Sequence, residues 1–124
     1  MNSLLVTMLV TEGVIAAGFM VSPGSLLGPF GLVLDDVSTT AFRVLGSALF
    51  AFPALLWSAW KSASAEIKKV AVRTMVVYFL LSLVFLVIAR AAGQINAMGW
   101  ILIGLHLGFA LWGIILLARN ASVA

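Results

Sequence analysis

Long apolar stretches alternate with short polar segments along almost the whole chain. The stretches lie at residues 3–21, 40–60, 74–92 and 95–118. Each has close to the roughly 20 residues that a helix needs to cross a hydrocarbon core about 30 Å thick. Nearly every charged residue lies between the stretches or at their edges. This pattern predicts an all-α protein: a four-helix transmembrane bundle that forms a single integral-membrane domain.

The composition excludes a soluble globular protein. Of the 124 residues, 64% are hydrophobic and 9% are charged, and the mean hydropathy is +1.23. A soluble domain carries about 25% charged residues. The chain has no cysteine, which excludes disulfides, a thiolate metal site and a cysteine nucleophile. The net charge of +3 is too small and too dispersed to indicate nucleic-acid binding.

The basic residues are concentrated in the connection between the second and third stretches. This connection holds Lys61, Lys68, Lys69 and Arg73 against Glu66 alone. Cytoplasmic loops of membrane proteins carry an excess of Lys and Arg, so we expect this connection to be cytoplasmic. Four spans then place both termini in the cytoplasm (N-in, C-in). We expect the membrane to be the bacterial inner membrane, and we expect the first span to be retained rather than cleaved as a signal peptide.

The connection between the first and second stretches is longer and partly apolar. Turn-forming residues at 22–25 end the first helix, and Gly-Pro-Phe-Gly follows at 28–31. The apolar residues 26–34 are expected to lie in the outer interface of the membrane or to dip back into it. The second helix is expected to begin near Asp35 with a polar first turn, because an aspartate at a helix start is favoured by the helix dipole.

Proline and glycine residues predict how the apolar helices bend and pack. Pro53 interrupts the second span and frees the carbonyl of Leu49, which predicts a kink. Gly104 and Gly108 form a GxxxG spacing in the fourth span, and small residues let helix backbones approach closely. We interpret these two glycines as helix-packing residues. The contact is either internal, which we favour, or with another subunit.

Two ionisable residues lie close to the midpoints of apolar spans: Glu12 in the first and His106 in the fourth. An ionisable group at the centre of a bilayer costs at least about 2.5–3.5 kcal/mol, so each requires a compensating interaction. If the two helices are neighbours, a hydrogen-bonded pair of Glu12 and His106 relieves both. Its functional form is a proton-accepting couple. We favour a structural hydrogen bond, or a neutral Glu12 that faces a partner protein.

Other polar side chains lie along the third span and toward the outer ends of the second and third spans. In the third span, Thr74, Tyr78 and Ser82 line one side, which we expect to face other helices.

A second set consists of two carboxylates and two guanidinium groups that are expected in the same outer layer. Its members are Asp35, Asp36, Arg43 and Arg90. We predict an outer charge cluster of structural ion pairs, and a site for a lipid phosphate or small anion is the alternative.

A further alternative for His106 is axial ligation of haem or a chlorin. Gly104, Gly108, Phe109 and Trp112 offer space and flat contacts near it. The chain has only one histidine, which excludes bis-histidine haem within one chain. We expect no cofactor and no metal site, with this pigment as the less favoured reading.

Several short motifs stand out from Gly28 onward. They are Gly-Pro-Phe-Gly at 28–31, Phe-Arg-Val-Leu-Gly at 42–46, Asn-Ala-Met-Gly-Trp at 96–100 and Leu-His at 105–106. In these motifs the chain, from about Gly28 onward, resembles small bacterial four-span inner-membrane proteins. The resemblance implies a compact inner-membrane bundle and no assigned activity.

No sequence motif indicates an enzyme. HExxH, P-loop, GxSxG and dinucleotide-binding glycine patterns are missing from the sequence. The favoured hypothesis is a non-enzymatic accessory or structural subunit that packs against a larger bacterial membrane protein complex. Its partners are membrane lipids and other membrane subunits or a second copy, and not nucleic acid. The alternatives are a small oligomeric transporter or proton-conducting protein that uses Glu12 and His106, and haem or chlorin binding through His106.

Overall fold

The computed structural model describes residues 1–121, with side chains to Arg119, and all regular structure in this part of the chain is helical. Four helical spans are long and apolar enough to cross a membrane, which confirms the all-α prediction and the number of membrane helices. They are Asn2–Val21, Asp36–Lys61, Ala65–Ala91 and Gly99–Arg119.

Six α-helices make up these spans and the first connection: α1 Asn2–Val21, α2 Pro23–Leu27, α3 Asp36–Leu49, α4 Ala51–Lys61, α5 Ala65–Ala91 and α6 Gly99–Ala121. Helix α5 begins well before the predicted residue 74. The Ser64 side chain accepts a hydrogen bond from the Ile67 N–H, at 3.3 Å, and so caps the helix at this earlier point. Helix α6 begins at Gly99 rather than at residue 95.

The second span is divided into α3 and α4. Helix α3 ends at Leu49, Phe50 connects the two helices, and α4 begins at Ala51. Pro53 has no N–H to donate to the Leu49 carbonyl, and its ring displaces the preceding turn. The interruption that Pro53 predicts is therefore confirmed.

The helices associate as two groups that connect at both ends. Helix α1 packs along α3 and α4, whereas α5 packs along α6. At one end, the Lys68 Nζ donates to the Asn2 Oδ1 at 2.9 Å; we call this the basic end. At the opposite end, the Asn96 N–H donates to the Phe30 carbonyl at 2.9 Å, and the Asn96 side chain donates to the Pro29 carbonyl.

The packed core lies mainly in the half of the bundle nearest the basic end. On α5 the buried positions stop at Phe79, and none of residues 80–91 is buried. The core combines residues from all four spans, namely Leu4, Leu5, Met8, Leu56, Ala59, Ala71, Val72, Met75, Val76, Phe79, Phe109 and Ala110.

Helices α1 and α3 approach each other closely at Gly46. A Cβ atom at this position would lie 2.8 Å from the Ala16 carbonyl oxygen and 2.8 Å from the Phe19 Cβ. Beside it, the rings of Phe19 and Phe42 stack with their centroids 5.4 Å apart. Because one obstructing atom belongs to the backbone, a side chain at position 46 would force the two helices apart.

The predicted internal contact of Gly104 and Gly108 is wrong. An added Cβ atom at either glycine meets no described residue within 4 Å. Helix α6 faces α5 instead through Gly113, where an added Cβ would lie 2.5 Å from the Val76 Cγ2. The helical repeat puts residues 104 and 108 on the other side of α6 from this contact. The contact with another subunit stays a prediction.

We expect Gly46→Ala to lower the free energy of unfolding in detergent by about 1–3 kcal/mol, the usual range for overpacking. Gly108→Ala is the matched control, because it adds the same methyl group where no described residue lies within 4 Å. Loss of helical circular dichroism during denaturant titration measures both. Equal stability of the two variants would contradict the close approach of α1 and α3.

Candidate functional site

Glu12 is the buried ionisable residue at the centre of α1. It is 2% exposed. The Tyr78 hydroxyl lies beside its carboxyl group. The second carboxyl oxygen, Oε2, is buried and has no hydrogen-bond partner in the described part of the chain. A buried polar atom without a partner is energetically costly, so this oxygen identifies a site with an unmet requirement.

Tyr78 connects the polar groups at the centre of the bundle. Its hydroxyl lies beside the Glu12 carboxyl group and the Ser82 hydroxyl. Ser82 lies one turn further along α5, the spacing at which side chains on a helix become neighbours. The Tyr78 ring also packs on Phe52 of α4, with centroids 4.6 Å apart. One side chain therefore joins α1, α4 and α5.

His106 contributes the α6 side of this centre. Its Nδ1 lies 2.8 Å from the Leu102 carbonyl oxygen, which can only accept a hydrogen bond. In the neutral ring the proton is therefore on Nδ1, and Nε2 is the acceptor. The ring packs edge-on to Phe79 at 5.5 Å and lies 6.2 Å from the Tyr78 ring, measured between centroids.

The predicted direct pair of Glu12 and His106 does not form. No hydrogen bond joins them, because α1 packs on α3 and α4 and touches α6 only slightly. Tyr78 contacts both residues instead. Tyr78 was not among the predicted site residues. The available signal was its place with Ser82 on the polar side of the third span.

The predicted outer charge cluster does not form either. No ion pair links Asp35 or Asp36 to Arg43 or Arg90 in the part of the chain that the structure describes. Asp35 instead caps α3, where its Oδ1 accepts from the Ser38 N–H at 2.7 Å.

The environments of the two aspartates differ from each other and from that of Arg43. Hydrogen bonds from the Ser38 hydroxyl and N–H lower the pKa of Asp35 below its ordinary value of 3.8. Asp36 lies in the first turn of α3. Arg43 is exposed. The carboxylate of Asp35 is therefore occupied by its own helix terminus and not by a guanidinium group.

Arg90 lies on a different helix pair from the aspartates. Its guanidinium carbon is 5.9 Å from the centroid of the Trp100 ring. Its Nε is buried and has no hydrogen-bond partner among the described residues. The cation–π contact joins α5 to the first turn of α6, so Arg90 acts within this hairpin.

The surroundings of His106 bear on the pigment alternative. Tyr78 and Phe79 occupy positions beside the imidazole. Among the described residues, no three His, Cys, Asp or Glu side chains are grouped as metal ligands. Haem or chlorin binding through His106 stays a prediction, and so does the expectation of no cofactor.

A groove of about 570 Å³ lies on the outside of the bundle between α1 and α4. It runs beside Gly13 and Pro53, and its floor and walls are almost entirely apolar, with Trp57 at one side. Such a surface fits lipid chains and provides no polar group for chemistry. The polar centre around Tyr78 is therefore the better candidate for a functional site.

Compared with known proteins, the chain matches no family model, no curated relative and no solved structure.

We expect Asp35→Ala to lower the midpoint of thermal unfolding at neutral pH more than the control Asp36→Ala, because only Asp35 caps α3. The folded pKa of Asp35 is lowered, so its stabilising contribution is present above 3.8 and is lost as the pH falls through the lowered value. The difference between the two variants should therefore disappear in strong acid. A difference that persists there would contradict the charged cap.

Proposed function

We propose that the chain is a non-enzymatic accessory or structural subunit that packs against a larger membrane protein complex. The observation that carries this proposal is the outward face of α6. Gly104 and Gly108 lie there at GxxxG spacing, and a Cβ atom added to either would meet no described residue within 4 Å. Closely approaching helices in membranes use this spacing, because small residues allow backbone contact.

The internal glycines of the same bundle support this interpretation. Gly46 and Gly113 lie where helices meet, and a side chain at either position would clash. Glycine therefore allows close contact at these two positions. Gly104 and Gly108 likewise have no side chain and leave room for a close backbone contact, which a helix of the partner would complete. Large apolar side chains flank the pair, with Leu111 and Ile115 each 49% exposed.

We further propose that the protein lies in a bacterial inner membrane with both termini in the cytoplasm. Lys61, Lys68 and Lys69 lie at the end that also carries Asn2, as the bond between Lys68 and Asn2 shows. Lys61 lies over the ring of Trp60, 4.3 Å from its centroid. A tryptophan and a lysine together are typical of a membrane–water interface, and basic residues favour the cytoplasmic one.

We expect Gly104→Leu and Gly108→Leu to abolish association with the partner while the helices remain folded. Leucine fills the space that a second helix needs, and its Cβ meets no described residue within 4 Å. Ala48→Leu is the matched control, because it enlarges an exposed position on α3. Native mass after mild solubilisation, with identification of co-purifying subunits, measures the effect. A wild-type chain that is a stable lone monomer would rule out the proposal.

The orientation is tested with single cysteines, since the natural chain has none. We expect Gln94→Cys to react with a membrane-impermeant maleimide added outside spheroplasts. Ala63→Cys, at the basic end, should react only after the membrane is opened. Both positions are exposed, so access to the thiol is matched. The reverse labelling pattern would invert the topology.

A further inference from the structure

The centre of the bundle contains a polar row that the subunit proposal does not use. Positions 78, 82, 86 and 90 of α5 follow one another at four-residue spacing and so lie along one side of the helix. Three of them are polar, namely Tyr78, Ser82 and Arg90. All four positions, including the apolar Leu86, are half-buried. The row begins at the Glu12 carboxyl and ends at the end of the bundle opposite the basic end.

Near the two ends of this row lie two buried polar atoms that have no hydrogen-bond partner among the described residues. They are the Glu12 Oε2 and the Arg90 Nε. Between them, no residue of α5 after Phe79 is buried, so the core does not seal this side of the site. Polar atoms of this kind are ordinarily satisfied by water, and the half-buried row supplies further polar partners for it.

The charge balance at Glu12 decides which form of the carboxyl the site can hold. Two titratable groups face it: Tyr78 from α5 and, beyond Tyr78, His106 from α6. The spans Asn2–Val21 and Asp36–Lys61 add no cation there, since Arg43 is exposed and Lys61 lies at the basic end. A carboxylate without a cation is costly inside a bilayer, whereas a neutral acid carries no charge that has to be compensated.

We propose that Glu12 is an intramembrane proton-binding site that exchanges its proton with the opposite end of the bundle through Tyr78 and Ser82. The site therefore takes a proton as its ligand, and this role is independent of the subunit proposal. His106 lies beside the path, with Nε2 as its acceptor nitrogen.

The exchange step conserves atoms and charge. The Glu12 O–H gives its proton to the Tyr78 oxygen as the Tyr78 hydroxyl gives its own proton to the Ser82 oxygen. The Ser82 hydroxyl in turn gives a proton to water on the side toward Arg90. Every bond that breaks is an O–H bond, and an O–H bond forms at the next oxygen. The reverse sequence reloads Glu12.

Infrared spectroscopy of the full-length protein in lipid bilayers tests both parts of the proposal. At neutral pH we expect a carbonyl stretching band of a protonated carboxyl group that is missing in Glu12→Gln and present in Glu66→Gln. Glu66 is exposed and forms an ion pair with Lys69, with the Lys69 Nζ 2.9 Å from the Glu66 Oε1, so it is a control for an ionised carboxylate. The absence of the band from the wild-type protein would overturn the proposal.

Transfer into D₂O measures the path. The Glu12 band should shift as deuterium replaces the proton. We expect this exchange to slow by about 100-fold in Tyr78→Phe, the low end of what a positioned proton-transfer group contributes. Ser82→Ala should also slow it. The control Ser58→Ala removes a hydroxyl that bonds only within its own helix, to the Ala54 carbonyl, and should leave the rate unchanged.

The two readouts separate the possible failures. A Glu12 band whose exchange is equally fast in Tyr78→Phe would overturn the path, and with it the proposal. If Glu12→Gln does not fold, Tyr78→Phe still supplies the test, because loss of its hydroxyl should raise the frequency of the same band. A band that does not change in frequency in Tyr78→Phe would exclude Glu12 as its source.

Discussion

Hydrocarbon offers no hydrogen bonds to a peptide group, and every other feature of this protein depends on that constraint. A chain within a bilayer must satisfy each backbone N–H and C=O internally, which restricts the spans to helices. The same constraint makes every departure from a regular apolar helix costly. Pro53, Gly46, Glu12 and His106 are such departures. Each lies where a specific contact or break in the structure accounts for it.

The contact between α1 and α3 illustrates how packing positions the polar centre. Gly46 lets the two backbones approach until no side chain fits between them. Helix α1 then lies along both α3 and α4, and its Glu12 points into the bundle, where it is 2% exposed. Tyr78 reaches it from α5 while packing on Phe52 of α4. The position of the polar site thus depends on the close contact between α1 and α3, although that contact contains none of the polar residues of the site.

The bundle is unequal along its length, and the two proposals concern different parts of it. The half near the basic end is a packed apolar core, whereas the half beyond Glu12 contains a half-buried row of polar residues. A proton site at this boundary has apolar packing on one side and polar contacts on the other. The outward face of α6 is separate from both, so a partner helix there would leave the polar row unchanged.

The sequence by itself determined the number of membrane spans, their approximate positions, the break at Pro53 and the polar first turn at Asp35. These features are local: they follow from hydropathy over one span, from the missing N–H of proline and from capping by a nearby side chain. It also identified Glu12 and His106 as groups that require a partner, because the cost of an ionisable group in lipid does not depend on its neighbours.

Only the tertiary structure decided which partners they have. Hydropathy does not specify which helices are adjacent, and α1 pairs with α3 and α4 rather than with α6. The direct pair of Glu12 and His106 was therefore wrong, and Tyr78 takes the intermediate place. Rotation of each helix about its own axis was equally undetermined in a chain that is apolar on nearly every side. The sequence therefore did not show that Gly113, and not Gly104 or Gly108, forms the contact with α5.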